Sequence, residues 1–204
     1  QIVMLTNGNR AMLETMFPDK FDYVRSPENQ DYIYTSRDLA TLAGKRFHAK
    51  RNHISKFYRT YTDTRFETLS DSNIPDALTV AKLWCAENDT DPEASSEITA
   101  IREMCDLKDE YNVKGAVLYV DSKPVAMTLG SEISPKVYDI NFEKALREYD
   151  GVYAVINNEF AKTLTQYEYI NREEDMGLEG LKKSKLSYNP VIILDRWNAI
   201  PKKR

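Results

Sequence analysis

Apolar and polar positions alternate in short blocks along this chain. Ile2–Leu5 is an apolar run that reads as a buried strand, and the turn "TNGN" follows it. Asn9 can cap a short helix reaching Met16. "PDKFDYVRSPENQDYIYTS" alternates around Pro27, which predicts two strands. Ser36 can cap a short helix, "RDLATLAG", closed by Gly44. "TRFETLS" predicts a strand. Ile74, Leu78, Ala81, Leu83 and Trp84 recur at roughly helical spacing, so 74–89 reads as a helix, and a second spans about 93–111. The acidic "AENDTDPEASSE" between them reads as a polar connection. Further on, "GAVLYVDSKPVAMTLGSEI" is a hairpin turning at "DSKP", and "KVYDINFEKA" is another strand. Asp150-Gly151 starts a helix that runs to about Leu164. "YEYIN" is a strand, "GLEGLKKSKLSY" a helix stopped by "NP", and "VIILDRW" a last strand.

From residue 64 the order is strand, two helices, three strands, helix, strand, helix, strand. That order predicts an α+β fold with helices packed on a largely antiparallel sheet. Residues 1–35 form a strand–helix–strand piece, which reads as the end of a first domain, and 36–204 form a second one. An opening on Gln1, inside an apolar strand, implies a longer parent chain upstream.

Composition narrows the function. With 42% hydrophobic and 29% charged residues, the profile is that of a globular domain. A net charge of −4 excludes a generic DNA binder, so any nucleic-acid contact must be local. No run approaches the roughly 18 apolar residues of a membrane span, so no direct membrane insertion is expected. Cys85 and Cys105 stand alone without a CxxC, which fits a reduced cytoplasmic pair. Glycine is scarce, at seven residues, which disfavours a phosphate-cradling loop.

The positive charge is concentrated in "GKRFHAKRNHISKF", residues 44–57. On a helical wheel over 45–61, Phe47, Ile54, Phe57, Tyr58 and Tyr61 gather in one arc. Lys45, Arg46, His53, Lys56 and Arg59 take the opposite side, where long cations ordinarily stay in water. Lys50 falls inside the apolar arc and Arg51 at its edge. An inward lysine needs a carboxylate, a phosphate, a cavity or a route past the aromatics to water. His48 and His53 lie about 140° apart on the wheel and make a poor metal pair, so no metal site is expected.

The other dense stretch is "YEYINREEDMGLEGLKKSKLSYNP", residues 167–190. Polar side chains from Asn171 to Asp175 at the end of a strand, just before a helix, mark a common place for a binding site. Carboxylates there, and Lys182, Lys183 and Lys185 near the helix end, also match the helix dipole. Glu143 and Lys144 are neighbours on one strand and must point to opposite faces.

"SRDLATLAGKRFHAKRNHISKF", "NFEKALREYDGVYAVINNEFA" and "YEYINREEDMGLEGLKKSKLSYNPVIILDRW" resemble the phosphatidylglycerol lysyltransferase C-terminal-like family. The resemblance covers most of residues 30–197. It implies a tandem GNAT acyltransferase fold, related to the Fem-type peptidyltransferases, which also carry a basic helix similar to "KRNHISKF". On that basis 1–35 is the tail of a first GNAT domain and 36–204 a complete second one. The implied activity is acyl or aminoacyl transfer, with aminoacyl-tRNA as donor through the basic helix 45–59 and an amine or hydroxyl as acceptor. Lys50, Arg172, Glu173 and Asp175 are then the candidate catalytic residues. Arg51, Asn52, His53, Asn141, Glu143, Lys144, Lys185 and Tyr188 are the candidate substrate-binding residues; relatives carry a histidine where Asn141 stands. Acetyl-CoA-dependent GNATs bind pyrophosphate with a glycine-rich loop at a helix start. The corresponding "REYDGVYAV" has one glycine beside Asp150, so no cofactor is expected and CoA is disfavoured. A CoA-dependent acyltransferase and a non-catalytic GNAT-like binding module are the alternatives.

Overall fold

The computed structural model describes residues 1–88, 91 and 95–202. The chain divides into two compact units, residues 35–170 and residues 1–34 with 171–204. Strand pairing ties residues 192–201 to the start of the chain.

In the larger unit the strands β4 (Thr64–Thr68), β5 (Lys114–Val120), β6 (Lys123–Ser134) and β7 (Val137–Ala145) pair in sequence order, with β8 (Tyr169–Asn171) next to β7. The pairs β4–β5, β5–β6 and β6–β7 are antiparallel. β5 and β6 are buried almost throughout, so helices must cover both faces. α4 (Ile74–Glu87) and α5 (Ser96–Asp106) cover one face. Ala77, Val80, Ile98 and Ile101 pack there on Val117, Met127 and Leu129. The acidic connection between these helices falls largely on residues 89–90 and 92–94, outside the described residues. α6 (Val152–Lys162) brings Val155, Ile156 and Phe160 to the other face, where Phe160 meets Tyr138 of β7 edge-on at 6.1 Å. The β5–β6 hairpin turns on Asp121 and Ser122, both at positive φ (47° and 62°), as a two-residue type I′ turn requires.

Two details of β7 shape its surroundings. Leu129 pairs with Phe142 and Gly130 with Ile140, so Asn141 is an extra, bulged residue. α2 (Ser36–Thr41) is tied to α6 by Asn158, whose Nδ2 donates to the carbonyls of Leu39 at 2.7 Å and Ala40 at 3.0 Å.

The smaller unit holds β1 (Ile2–Leu5), α1 (Asn7–Met16), β2 (Phe21–Arg25), β3 (Asp31–Thr35, bar its last residue), α7 (Glu179–Leu186), β9 (Ile192–Leu194) and β10 (Trp197–Pro201). β10 runs between β1 and β2 in a three-stranded antiparallel sheet, and β9 pairs with β3. "VIILDRW" is therefore two strands rather than one. The break comes at Asp195-Arg196, whose side chains are held sideways: Asp195 accepts from Arg25 at 2.6 Å and from Gln30, and Arg196 donates to buried Asp31. Two helix caps also move by one or more residues. Thr6, not Asn9, caps α1, and Thr35, not Ser36, caps α2; each hydroxyl accepts the N–H three residues on. α2 ends at Thr41 with Leu42 left-handed (φ 47°), ahead of Gly44. No helix among the described residues is long and apolar enough to cross a membrane.

Candidate functional site

The basic stretch in the larger unit is not one helix. Lys45–Phe47 is a 3-10 turn, and α3 runs His48–Thr60. Of the predicted aromatic arc, Phe57 and Tyr61 pack together, whereas Tyr58 is exposed and Phe47 belongs to the 3-10 turn. Phe57 is fully buried, lies 4.8 Å from Tyr61, and Tyr61 lies 5.4 Å from Tyr149. Lys50 is half-buried on that side. Several of the cations are already matched. Arg46 pairs with Asp38 at 2.7 Å and Lys56 with Asp150 at 2.6 Å. The Arg51 guanidinium donates to the carbonyls of Leu42 and, at 2.8 Å, Gly44, closing the turn behind α2. That commitment gives Arg51 a structural task. Asn52 bonds His48 at 3.1 Å on the exposed side, and His53 is exposed nearby. Among the described residues no three His, Cys, Asp or Glu side chains are grouped to hold a metal.

The start of α6 is closely covered by α3. Gly151, at φ 86°, is the N-cap, and a Cβ built on it would lie 2.9 Å from the His53 carbonyl oxygen. Asp150 beside it is held below the usual carboxylate range by its hydrogen bond to Lys56. Helix N-termini attract anions, but here the His53 carbonyl lies against the N-cap and the acidic Asp150 precedes it. Gly151→Ala combines a strained φ with that contact and is expected to cost about 1–3 kcal/mol. Urea unfolding checks it; a cost within experimental error would mean that α3 yields freely.

On β7, Glu143 and Lys144 do point to opposite faces. The Lys144 Nζ lies 3.0 and 2.8 Å from the two Glu97 oxygens and 3.6 Å from the centre of the Trp84 ring. Trp84 in turn donates to the Tyr153 hydroxyl at 2.9 Å. Lys144 thereby ties β7 to α4 and α5. Glu143 faces α6, where Asn157 Nδ2 donates to its Oε2 at 3.1 Å. Bulged Asn141 donates to Asp139 at 3.1 Å and lies 3.2 Å from the Ser131 hydroxyl. The sequence reading missed Asn157, fully buried, although two adjacent asparagines in the apolar "VYAVINNEFAK" were a visible signal.

In the smaller unit the loop after β8 is braced at several residues. Arg172 N–H donates to Tyr32 O at 3.1 Å, and Tyr32 N–H to Glu173 O at 3.2 Å. The Asn171 side chain accepts the Glu173 N–H at 3.1 Å. Glu173 itself is left-handed (φ 56°). The buried Lys185 ammonium donates to the carbonyls of Arg172 and, at 3.1 Å, Glu173. The Asp175 carboxylate, 2% exposed, accepts from Tyr32 at 2.5 Å and from the Gly177 N–H at 2.8 Å. Asp175 and Lys185 therefore shape the loop. Burial, reinforced by the Asp175 bond, pushes the Tyr32 phenol up to about 12. The Arg172 guanidinium lies 4.9 Å from the centre of the Tyr188 ring and 5.8 Å from that of Tyr34. Tyr188, buried, acts here as a stacking platform. Of the candidate residues, the smaller unit thus holds Arg172, Glu173, Asp175, Lys185 and Tyr188. The larger unit holds Lys50, Arg51, Asn52, His53, Asn141, Glu143 and Lys144.

A sheet with a bulged strand, helices on both faces and a helix starting directly after the bulged strand defines a GNAT-type transferase fold. Solved structures agree. The chain superposes on a tandem GNAT protein from the clavulanic acid biosynthesis pathway with a TM-score of 0.54 at 8% identity, covering 100% of this chain and 63% of that one. L-PGS from Bacillus licheniformis matches with a TM-score of 0.70 at 13% identity, over 99% of this chain and 67% of that one. A conserved protein of unknown function from Bacteroides thetaiotaomicron VPI-5482 matches with a TM-score of 0.90 at 39% identity, over 98% of this chain and 69% of that one. Residues 9–200 match the family model described as "Phosphatidylglycerol lysyltransferase, C-terminal", and the chain belongs to that family.

Proposed function

We propose that this GNAT-like, lysyltransferase-related protein transfers an aminoacyl group from an aminoacyl-tRNA-type donor to an amine or hydroxyl acceptor. The observation that carries the choice of donor is the covered start of α6. Pyrophosphate binding at a helix N-terminus needs open N–H groups, and here the His53 carbonyl lies against Gly151 while the neighbouring Asp150 adds a negative charge. An aminoacyl ester needs no such cradle. It is already activated, so the protein has to orient donor and acceptor and stabilise the charge that develops on the carbonyl oxygen. The acceptor's lone pair attacks the ester carbon, the oxyanion collapses, and the tRNA ribose oxygen leaves with the acceptor's proton. Arg172 in the smaller unit, 4.9 Å from the centre of the Tyr188 ring, and half-buried Lys50 in the larger unit are each a cation of the kind suited to that oxyanion or to a phosphate. Exposed Lys45 and Arg59 suit non-specific backbone contact.

Binding of aminoacyl-tRNA should therefore weaken steeply with salt. Replacing Lys45 or Arg59 by alanine should reduce the slope of log K against log salt by about 1 each. A salt-independent affinity, or micromolar binding of acetyl-CoA by calorimetry, would favour the CoA-dependent reading instead.

A further inference from the structure

We propose that the cleft between α1 and β2 in the smaller unit binds a free amino acid with an apolar side chain, as its zwitterion. The cleft has a volume of about 550 Å³, within the range of small-molecule sites. One wall is α1, whose Asn7, Arg10, Ala11 and Glu14 fall in an arc of about 100°. A helix laid on a sheet ordinarily turns apolar residues toward it. Here α1 turns an amide, a cation and a carboxylate that way, and it buries none of its ten residues. The floor is Phe21 and Tyr23, two apart on β2 and hence on one face. Tyr23 stands opposite Ala199 on β10, so Trp197 shares that face. The Trp197 Nε1 donates to Asn7 Oδ1 at 2.7 Å.

Arg10 is fixed in the cleft by aromatic faces. Its guanidinium lies 4.2 Å from the centre of the Trp197 ring and 5.0 Å from that of Tyr23. Among the described residues it is held by these rings and by no carboxylate, although Glu14 is one turn away. The Glu14 Oε1 accepts the Asp19 N–H at 3.0 Å instead. Burial, and then the Glu14 carboxylate, hold the Tyr23 phenol above its ordinary range, so Glu14 overlooks the same floor. Stacking occupies the guanidinium face and leaves its edge of N–H donors to a planar, two-oxygen acceptor. A carboxylate has that shape. A phosphate would bring its charge against Glu14, whereas a ligand that also carries an ammonium makes Glu14 a partner. An α-amino acid bears both groups on one carbon, and Ala11 and Phe21 give its side chain an apolar wall. The site lies within the smaller unit and does not depend on the transferase reading.

The test follows the Trp197 indole N–H resonance in ¹⁵N-labelled full chain. The chain has two tryptophans, and Trp84→Phe tells their signals apart. The probe is L-phenylalanine, beside L-phenylalaninamide, which lacks the carboxylate, and N-acetyl-L-phenylalanine, which lacks the ammonium. A saturable shift with phenylalanine is expected, with each blocked compound binding about tenfold or more weakly. Arg10→Gln should bind phenylalanine and its amide alike, and Glu14→Gln should bind phenylalanine and its acetyl derivative alike. Both ratios are read within one variant, so a change in stability does not imitate them. No saturable shift up to the solubility limit of phenylalanine overturns the proposal. So does either blocked compound binding wild type as tightly as phenylalanine. Saturation by inorganic phosphate but not by phenylalanine would make the cleft a simple anion site and overturn the amino acid assignment.

Discussion

Gly130→Ala is expected to destabilise the larger unit by about 3 kcal/mol or more. A Cβ at Gly130 would overlap the Asp139 carbonyl oxygen, lie 2.6 Å from Tyr138 Cε1 and 3.1 Å from the Asp139 carbonyl carbon. The obstruction is strand backbone, which cannot swing aside. Nor can the ring move, because the Tyr138 hydroxyl bonds both the N–H and the C=O of Lys114 at 3.1 Å, and Tyr138 is fully buried against Phe160. The Asn141 bulge starts at the same point of the ladder, so relief there would shift the register that puts Glu143 on the α6 face. Gly180→Ala is the matched control. Nothing lies within 4 Å of its Cβ, and it sits in α7, so helix propensity alone should stabilise it by up to about 1 kcal/mol. Urea midpoints of the two variants should therefore move in opposite directions, and equal shifts would contradict this account of Gly130.

The order of elements was legible because apolar periodicity carries it. The buried runs of β5 and β6, the helical spacing of α4 and the turn at Asp121-Ser122 all stand in the sequence. The split at Asp195-Arg196 was not legible, since it depends on Arg25, Gln30 and Asp31, more than 160 positions away. The same limit applies to the candidate residues. A wheel can place Lys50 on the aromatic side of its helix, but it cannot show that Arg51 serves two carbonyls, or that Lys144 is held by Glu97 and Trp84. Charge type and spacing identify residues able to do chemistry. Only the partners, which come from distant segments, separate those engaged in packing from those presented to a ligand. Asn157 illustrates the converse case. A neutral residue in an apolar helix attracts little notice until its carbonyl oxygen is found buried without a donor.

Asp175→Ala should loosen the smaller unit by about 2–4 kcal/mol, because it leaves the Tyr32 hydroxyl buried with no acceptor and frees the turn at Gly177. A pH dependence belongs to the same contact. Folding raises the Tyr32 phenol from its ordinary value near 10 to about 12. A proton held more tightly in the folded state stabilises it fully below pH about 10, and that contribution is lost as pH rises through about 12. Tyr32→Phe has no such proton to lose. Its stability deficit relative to wild type should shrink by up to about 2 kcal/mol between pH about 9 and about 12. Other buried tyrosines, Tyr119 and Tyr138 among them, are raised as well, so both proteins still weaken in alkali. The informative quantity is the difference between them. Urea midpoints at several alkaline pH values measure it. A deficit constant across the range would mean that Tyr32 keeps its proton no better folded than unfolded, and that Asp175 holds the Arg172 loop through Gly177 alone.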